Sequence, residues 1–257
     1  MTNKQGDFIW YELITEDAIA AAHFYGPILG WTARKAGTGP DSYHLLSTGE
    51  SDVGGMMDLP ADAKANGMRP NWLGYVAVDD VDAAAAKIVA DGGTQHMPPM
   101  DIPNVGRFAM LADPQGASFY VMRGAMEGTS NSFAMDKTGH CHWNELATSD
   151  QAAAWSFYGN QFGWIKGDVM SMGPMGDYEF LTHAGQTIGA FAPLGEVPRP
   201  EWTFYFGVAD IDEAATRVKD GGGTISYGPA EVPGGMFIIV GVDPQGAQFG
   251  LVGPRNS

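Results

Sequence analysis

The sequence consists of two copies of one pattern joined end to end. Trp10-Tyr11-Glu12-Leu13 recurs 133 residues later as Trp143-Asn144-Glu145-Leu146. Further on, Asp113-Pro114-Gln115-Gly116-Ala117 reappears unchanged 130 residues later as Asp243-Pro244-Gln245-Gly246-Ala247, so the second copy lacks three residues net in its middle. The same motifs occur in the same order and at nearly the same spacing in both halves of the chain, which indicates two homologous modules. This internal repeat constrains the fold more than any other feature.

Each copy predicts the same order of elements. Residues 8–15 are rich in aromatic and β-branched side chains and indicate a strand. Residues 17–29 follow as a helix, with apolar side chains at every fourth position and Asp17 near its start. A second helix is predicted over 81–90, and the residues of the Asp-Pro-Gln-Gly turn favour a type I turn between two strands. The remaining strands of the first copy are predicted at 43–47, 53–57, 72–78, 108–112 and 118–122.

This order predicts an α+β protein of four βαβββ units, two in each copy. Residues 123–138 are small and polar without periodicity, which is typical of a linker. We therefore predict a first module over 1–124, a linker over 125–138 and a second module over 139–257.

Composition excludes several classes of function. The chain carries 14 basic and 30 acidic side chains, a formal net charge of −16, which repels phosphate backbones and anionic lipid. We therefore expect neither a nucleic-acid nor a membrane partner, and no apolar run is long enough to span a bilayer. Residues 1–8 lack the apolar core of a secretory signal, so we expect a cytoplasmic protein. The single cysteine, Cys141, rules out an intrachain disulfide and a cysteine-built zinc site.

The duplicated set of motifs resembles the vicinal oxygen chelate superfamily of glyoxalase, bleomycin-resistance and extradiol-dioxygenase proteins. The matching features are the first strand before Asp17 or Asp150, the Phe-Tyr and Gly-Trp of the first helix, the aspartate-rich entry to the second helix and the Asp-Pro-x-Gly hairpin. The resemblance covers nearly the whole chain and is strongest to two-module glyoxalase-like proteins of bacteria. It implies two tandem vicinal-oxygen-chelate modules with cupped mixed sheets, each cup holding a small-molecule substrate. A homodimer is compatible with the sequence.

The resemblance also implies where a divalent metal would bind. Metal-dependent relatives carry three ligands per module, at fixed distances from the helix-starting aspartates and from the Asp-Pro-x-Gly turn. Divalent cations prefer imidazole or carboxylate ligands, and an indole N–H is a donor only. We therefore predict no cofactor at these positions, while divalent metal sites elsewhere stay open. The six positions hold Trp10, Leu73 and Tyr120 in the first module and Trp143, Thr203 and Gly250 in the second.

Two glutamates are the candidate catalytic residues. Because side chains alternate along a strand, Trp10 and Glu12 share one face, as do Trp143 and Glu145. Burial in an aromatic-lined cup raises the pKa of a carboxyl group, so that Glu12 and Glu145 would act as general acids or bases. The alternative is a structural role, in which each carboxylate is bonded to backbone or to a Tyr or Trp donor.

Aromatic side chains are the candidate substrate-binding residues. Tyr75 and Tyr205 lie two positions after Leu73 and Thr203 and share their inward face. Their hydroxyl groups would donate to a substrate oxygen, or the rings would simply be core aromatics. The predicted substrate-binding set is Trp10, Tyr75, Tyr120, Trp143 and Tyr205.

The histidines offer an alternative metal site. His140 and His142 alternate on the predicted first strand of the second module, and such a pair binds metal when a third ligand joins it. No third ligand can be placed from the sequence. His44 and His183 correspond roughly on the third strands of the two copies, where each would face a cup or the strand surface.

Two glycine-containing loops are candidate lids. Residues 170–176 are rich in methionine, which adapts to irregular apolar ligands, and residues 35–40 are their counterpart in the first copy. The alternative is that both are simple connections between strands.

Two classes of function fit these observations. The first is a glyoxalase-like enzyme of the lyase, isomerase or hydrolase type, without the usual superfamily metal site. It would act on a small, partly apolar oxygenated molecule in an aromatic-lined cup. The alternative is a metal-free binding protein of the bleomycin-resistance kind, which would hold an aromatic or cationic compound by cation–π and Coulomb attraction.

Overall fold

The computed structural model describes residues 2–36, 43–195 and 197–256. Within these ranges the chain is mixed α+β, with two eight-stranded sheets that each contain one copy of the repeat. The predicted fold class of two tandem modules is therefore confirmed. None of the helices in the described ranges is long and apolar enough to cross a membrane.

The first copy contains two βαβββ units. The first unit comprises β1 (Phe8–Thr15), α1 (Ala18–Leu29), β2 (Thr32–Ala36), β3 (Tyr43–Thr48) and β4 (Ser51–Asp58), followed by a short helix, α2 (Ala61–Ala65). The second unit comprises β5 (Asn71–Ala77), α3 (Val81–Ala90), β6 (Thr94–Ile102), β7 (Gly106–Ala112) and β8 (Ser118–Gly124).

Over the described part of the second copy the order is repeated without a counterpart of α2. Its first unit comprises β9 (Cys141–Thr148), α4 (Gln151–Phe162), β10 (Ile165–Ser171), β11 (Asp177–His183) and β12 (Gln186–Pro193). Its second unit comprises β13 (Glu201–Gly207), α5 (Ile211–Asp220), β14 (Thr224–Val232), β15 (Met236–Val242) and β16 (Gln248–Gly253).

The two sheets have the same strand order. The first runs β2-β3-β4-β1-β5-β8-β7-β6 and the second runs β10-β11-β12-β9-β13-β16-β15-β14. Antiparallel hairpins such as β3/β4 and β7/β8 alternate with parallel pairs such as β1/β4 and β5/β8, so both sheets are mixed.

The compact units of the molecule do not follow the two copies. One, which we call the central unit, comprises the N-terminal residues up to Ile9, Gly74–Ser130 and Trp143–Trp202, and holds the second and third βαβββ units. The other, the terminal unit, comprises Trp10–Leu73, Asn131–His142 and the chain from Thr203 onward, and holds the first and fourth.

The core of the central unit contains a buried chain of hydrogen bonds. The Trp202 indole N–H donates to the Tyr158 hydroxyl at 3.3 Å, and that hydroxyl donates to Oδ2 of Asp113 at 3.1 Å. The other oxygen of Asp113 accepts the backbone N–H groups of Gln115 and Ala117 and fixes the turn. The terminal unit repeats this arrangement with Trp72, Tyr25 and Asp243. The Asp-Pro-Gln-Gly motif therefore forms a turn and also bonds that turn to the buried core.

The glutamine of each turn binds the start of a helix from the other copy. Oε1 of Gln115 accepts the backbone N–H of Asp150 at 2.8 Å, and Asp150 is the N-cap of α4. The hydroxyl groups of Thr148 and Ser149 donate to the same oxygen. In the terminal unit, Gln245 binds the backbone of Asp17 in the same way.

Candidate functional site

Three residues of the second copy form a continuous chain of hydrogen bonds. The Trp143 indole N–H donates to the Tyr178 hydroxyl at 2.8 Å, and the Tyr178 hydroxyl donates to Oε2 of Glu145 at 2.6 Å. Trp143 and Glu145 lie on β9 and Tyr178 on β11, with β12 between these strands in the sheet. We call this set the second Trp–Tyr–Glu group.

The first copy carries an equivalent set, which we call the first Trp–Tyr–Glu group. The Trp10 indole N–H donates to the Tyr43 hydroxyl at 2.9 Å, and Tyr43 is hydrogen-bonded to Glu12. Burial and the neighbouring Glu12 carboxylate raise the pKa of Tyr43 well above its ordinary value, so the phenol keeps its proton. A phenol O–H that donates to a carboxylate stabilises the ionised form of that carboxylate.

The two groups differ in the residue beneath the tyrosine. In the first copy, the Tyr43 hydroxyl lies so close to Gly55 that a Cβ on Gly55 would be 2.1 Å from the hydroxyl oxygen. The corresponding position on β12 is Ala190, which carries this Cβ and lies in register with Glu145, as Gly55 does with Glu12. The Tyr178 ring therefore cannot occupy the place that Tyr43 occupies in the first copy.

This difference coincides with a difference in exposure. Glu12 is only 3% exposed, whereas Glu145 is half-buried. The tryptophan and tyrosine of both groups are half-buried, so the two groups differ in the exposure of the glutamate and not in that of the rings. The carboxylate of the first group is therefore enclosed, and that of the second is partly exposed.

The predicted tyrosines of the second and fourth βαβββ units are buried in the sheets. Tyr75 and Tyr120 lie opposite one another on β5 and β8 and stack with their ring centroids 4.2 Å apart. They are 4% and 2% exposed, so their ring faces contact one another and the protein interior. Tyr205 is 3% exposed and its ring covers Gly250, where an added Cβ would lie 2.5 Å from a ring carbon. These residues shape the sheet faces more than they offer surface to a ligand.

The residues at the positions where the resemblance implies metal ligands do not fit a divalent metal. Leu73 is buried and apolar, and the Thr203 hydroxyl accepts a hydrogen bond from Gln248 at 2.8 Å. The Tyr205 ring fills the space that a side chain at position 250 would need. Among the described residues, no three His, Cys, Asp or Glu side chains lie close enough together to hold a metal ion.

The His-x-His pair contacts the linker instead of a third ligand. Nδ1 of His140 lies 2.5 Å from the Asn131 carbonyl oxygen, and Nε2 of His142 lies 2.8 Å from the Lys137 carbonyl oxygen. Because a carbonyl only accepts, each of these nitrogens carries the proton and donates. Burial lowers the pKa of His142 below 6.5.

The predicted correspondence of His44 with His183 is wrong. Tyr43 and Tyr178 make the same contacts in the two copies, and the equivalent of His183 is therefore Thr48. Nε2 of His183 lies 3.1 Å from Oδ1 of Asp7, within hydrogen-bond distance.

The methionine-rich segment is partly strand. Met170 and Ser171 belong to β10, and a short 3-10 turn, Gly173–Met175, leads to β11. Its predicted counterpart in the first copy, 35–40, passes after Ala36 into residues that lie outside the described ranges. The role of either loop as a lid stays a prediction.

Tyr43 and Tyr178 are the members of the site that sequence reasoning missed. Tyr43 is the first residue of β3 and Tyr178 the second residue of β11, and together with the Trp and Glu of the first strand they recur at a nearly constant spacing. A tyrosine that recurs with a duplicated Trp-x-Glu pattern was the available signal, but the histidines beside it suggested a different alignment of the copies.

Curled mixed sheets built from paired βαβββ units define a fold of the glyoxalase type. A model of the Glyoxalase/Bleomycin resistance protein/Dioxygenase superfamily matches residues 8–121 and 137–251, and the chain belongs to this superfamily. The resemblance drawn from the motifs is therefore confirmed.

Full-length relatives and solved structures agree with this assignment. "Putative glyoxylase CFP32" of Mycobacterium tuberculosis is 32% identical over 256 residues, 98% of this chain and 96% of the relative. "Anthracycline biosynthesis protein DnrV" of Streptomyces peucetius is 33% identical over 262 residues, 96% of this chain and 93% of the relative. The Mn(II)-bound glyoxalase from Novosphingobium aromaticivorans has a TM-score of 0.66 at 18% identity, covering 100% of this chain and 84% of that chain, a likeness that shows the fold.

Proposed function

We propose that this protein is a glyoxalase-like enzyme in which a carboxylate, held by a Trp–Tyr donor chain, acts where metal-dependent relatives use a metal ion. Its substrate is a small, partly apolar oxygenated molecule, and the reaction is of the lyase, isomerase or hydrolase type. The observation that carries the proposal is the half-buried Glu145, bonded to Tyr178 at 2.6 Å at the end of the donor chain.

The proposed chemistry is proton transfer by Glu145. An ionised carboxylate beside a bound carbonyl compound accepts a proton from the carbon next to the carbonyl and returns it to a neighbouring atom. Tyr178 orients the carboxylate through its hydroxyl, and Trp143 in turn orients Tyr178. Glu12 has the equivalent partners in the first copy but is almost fully enclosed. We therefore assign it a mainly structural role and only secondarily a catalytic one.

The relatives support an oxygenated and partly aromatic substrate. One is named for anthracycline biosynthesis and another as a glyoxylase, and both match this chain along nearly its full length. Aromatic side chains beside the carboxylate, such as Trp143 and Phe180, suit a molecule with an apolar body and carbonyl groups. We also propose a cytoplasmic location, as expected from the sequence.

The second candidate is a metal-free binding protein. It is favoured by the donor chain, because a hydrogen-bonded carboxylate among aromatic rings can hold a ligand without taking part in a reaction. Both candidates use the same residues, so kinetic measurements must separate them.

The test compares Glu145→Gln with Glu12→Gln. Turnover of hemithioacetals of 2-oxoaldehydes and of hydroxyanthraquinones is measured, together with ligand binding by quenching of tryptophan fluorescence. As an enzyme, the Glu145→Gln variant loses at least about 100-fold in turnover and keeps binding, because general acid–base catalysis contributes about that much. Binding by the wild type without turnover supports the binding protein. Full turnover by Glu145→Gln contradicts the proposed catalytic role.

A further inference from the structure

We propose that Asn66 is a site of spontaneous chemical modification, at which the side-chain amide is lost through a cyclic imide formed with the backbone nitrogen of Gly67. No other asparagine of the chain is followed by a glycine. The site lies at the end of α2, away from both Trp–Tyr–Glu groups in the sequence, and it does not depend on the proposed function.

The reaction needs only the chain and water. The backbone nitrogen of Gly67 gives up its proton and bonds to Cγ of Asn66, while the bond from Cγ to Nδ2 breaks and the amide nitrogen leaves with that proton as ammonia. Water then opens the ring at one of its two carbonyl carbons. Opening at Cγ gives aspartate, and opening at the backbone carbonyl carbon gives isoaspartate, in which the main chain runs through the side chain. Either product adds one negative charge at neutral pH.

The amide group of Asn66 is accessible to attack. Asn66 is exposed at the C-cap of α2, and its side chain makes no hydrogen bond within the part of the chain that the structure describes. Other asparagines are held in place. Asn144 is fully buried and donates to the Ile188 carbonyl at 2.8 Å, and Oδ1 of Asn3 accepts the backbone N–H of Ser130 at 2.8 Å. The Asn66 amide is therefore free to rotate toward the following nitrogen.

The attacking nitrogen is also unshielded. A side chain on the residue after an asparagine hinders the approach of its nitrogen, and glycine has none. Gly67 is exposed, and a Cβ added to it would meet no atom within 4 Å, so neighbouring residues do not crowd it either. Its φ of +88° lies in the left-handed region, which explains why a glycine stands here.

One hydrogen bond must open before the ring can form. The Gly67 N–H donates to the Lys64 carbonyl oxygen at 3.0 Å. However, α2 has five residues and none of them is buried, and a segment with few buried contacts opens at a low free energy. The ion pair of Lys64 with Glu16 is exposed on both sides and adds little restraint. The bond to Lys64 therefore slows the reaction without preventing it.

The modification weakens the element that carries it. A negative charge at position 66 lies at the C-terminal end of α2, where the helix dipole disfavours it. It also lies four residues after Asp62, and like charges at this spacing repel each other. We therefore expect the modified protein to have a less stable α2, with faster amide exchange from Ala63 to Gly67.

The experiment is a long incubation of the full-length protein in mildly alkaline buffer. Anion-exchange chromatography separates the forms with an added charge, and peptide mapping by mass spectrometry with enzymatic methylation of isoaspartate locates them. We expect aspartate and isoaspartate to accumulate together at position 66. Asn104 is the matched internal control, since it is exposed and has no hydrogen-bond partner among the described residues but precedes Val105.

Two variants test the role of the Gly67 nitrogen. Gly67→Ala should slow the reaction several-fold, and Asn66→Gln, which leaves Gly67 in place, should abolish it because the longer side chain closes a ring far less readily. Asn66 that stays as intact as Asn104 would overturn the proposal. So would aspartate without isoaspartate, or an unchanged rate in Gly67→Ala, because water would then attack the amide directly. The same incubation in urea gives the rate of the unfolded chain, and a far slower reaction of the folded protein would show that the helix end protects Asn66, which also overturns the proposal.

Discussion

At the scale of single residues, the molecule uses one arrangement for two purposes. A tryptophan N–H donates to a tyrosine hydroxyl, which donates to a carboxylate, both in the fully buried Trp202, Tyr158 and Asp113 and in the half-buried second Trp–Tyr–Glu group. Burial raises the pKa of Asp113, because its hydrogen-bond donors offset only part of the lost hydration. Where the carboxylate is enclosed, this series of hydrogen bonds stabilises the fold. Where the carboxylate is accessible, it presents a charge to solvent.

Breaking the buried Trp–Tyr–Asp hydrogen bonds should cause a measurable loss of stability. Tyr158→Phe removes the hydroxyl group that donates to Oδ2 of Asp113 and accepts the Trp202 N–H, at a cost of about 1–3 kcal/mol in the free energy of unfolding. Tyr25→Phe should cost a similar amount, since it breaks the equivalent contacts with Asp243 and Trp72. Urea denaturation measures both, with the exposed Tyr227→Phe as control. A Tyr158→Phe protein as stable as the wild type would contradict this role.

The lowered pKa of His142 predicts how stability depends on pH. The folded chain favours the neutral ring, so between 6.5 and its lower folded pKa the unfolded chain binds more protons. The contribution of His142 is therefore present above 6.5 and is lost as the pH falls through the folded pKa. The neighbouring His140 further lowers the pKa of His142, whereas Asp136 raises it.

Comparison with His142→Gln measures that contribution, since the glutamine amide can still donate to the Lys137 carbonyl. The stability difference between wild type and variant should shrink as the pH falls from about 7 to about 5. A constant or growing difference would show that burial does not favour the neutral imidazole.

At the residue scale, the sequence predicted the shared faces of Trp10 with Glu12 and of Trp143 with Glu145, because strand alternation is a local property. It did not predict Tyr43 and Tyr178, which reach these residues from a strand two positions away in the sheet. It also could not predict that the Tyr205 ring covers Gly250, since this contact depends on the register of β13 with β16.

At the scale of elements, strong local sequence patterns were sufficient to predict where some strands and helices begin and end. β1 and α3 have the predicted bounds of 8–15 and 81–90, because a clear strand composition and an aspartate N-cap mark them. β2 and β6 were missed because both are exposed edge strands, and β6 contains Pro98 and Pro99. Proline and weak alternation are tolerated at an edge, where one side of the strand makes no ladder hydrogen bonds.

Gln115 and Gln245 attach hairpins to helix starts through different numbers of hydrogen bonds. We therefore predict that their alanine variants lose different amounts of stability. Gln115→Ala removes an acceptor for the N-cap backbone of α4 and for two hydroxyl groups, whereas Gln245→Ala affects only the backbone of Asp17. We expect a loss of about 1–2 kcal/mol in unfolding free energy for Gln115→Ala and a smaller loss for Gln245→Ala. Thermal unfolding and amide exchange at the start of α4 would measure this, and equal losses would contradict the assigned contacts.

At the scale of the whole molecule, duplication was the feature that the sequence predicted best. A repeated order of motifs specifies two sheets of one topology, and each sheet indeed contains one copy. The sequence did not predict that the compact units combine the second unit with the third and the first with the fourth. That arrangement depends on long-range contacts such as Tyr158 with Asp113, which no local pattern reveals.

Duplication also permits the two copies to diverge. The second copy gains two residues between its first and third strands and loses five before its fifth strand, where the first copy has α2. The copies also differ by the change from Gly55 to Ala190 and from Leu45 to Phe180, and Glu12 is buried where Glu145 is half-buried. The proposed function assigns the ligand to the second copy, where these substitutions accompany the more exposed glutamate.

The most direct test of this account is the metal content of the full-length protein. The protein is incubated with an excess of Mn²⁺, Zn²⁺ or Ni²⁺, freed of unbound ions by gel filtration, and analysed by inductively coupled plasma mass spectrometry. Since the ligand positions hold indole, phenol, aliphatic and hydroxyl side chains and a glycine, we predict far less than one retained ion per chain, with ligand binding unchanged by chelators. Retention of one or two ions per chain, lost together with ligand binding on chelation, would contradict it.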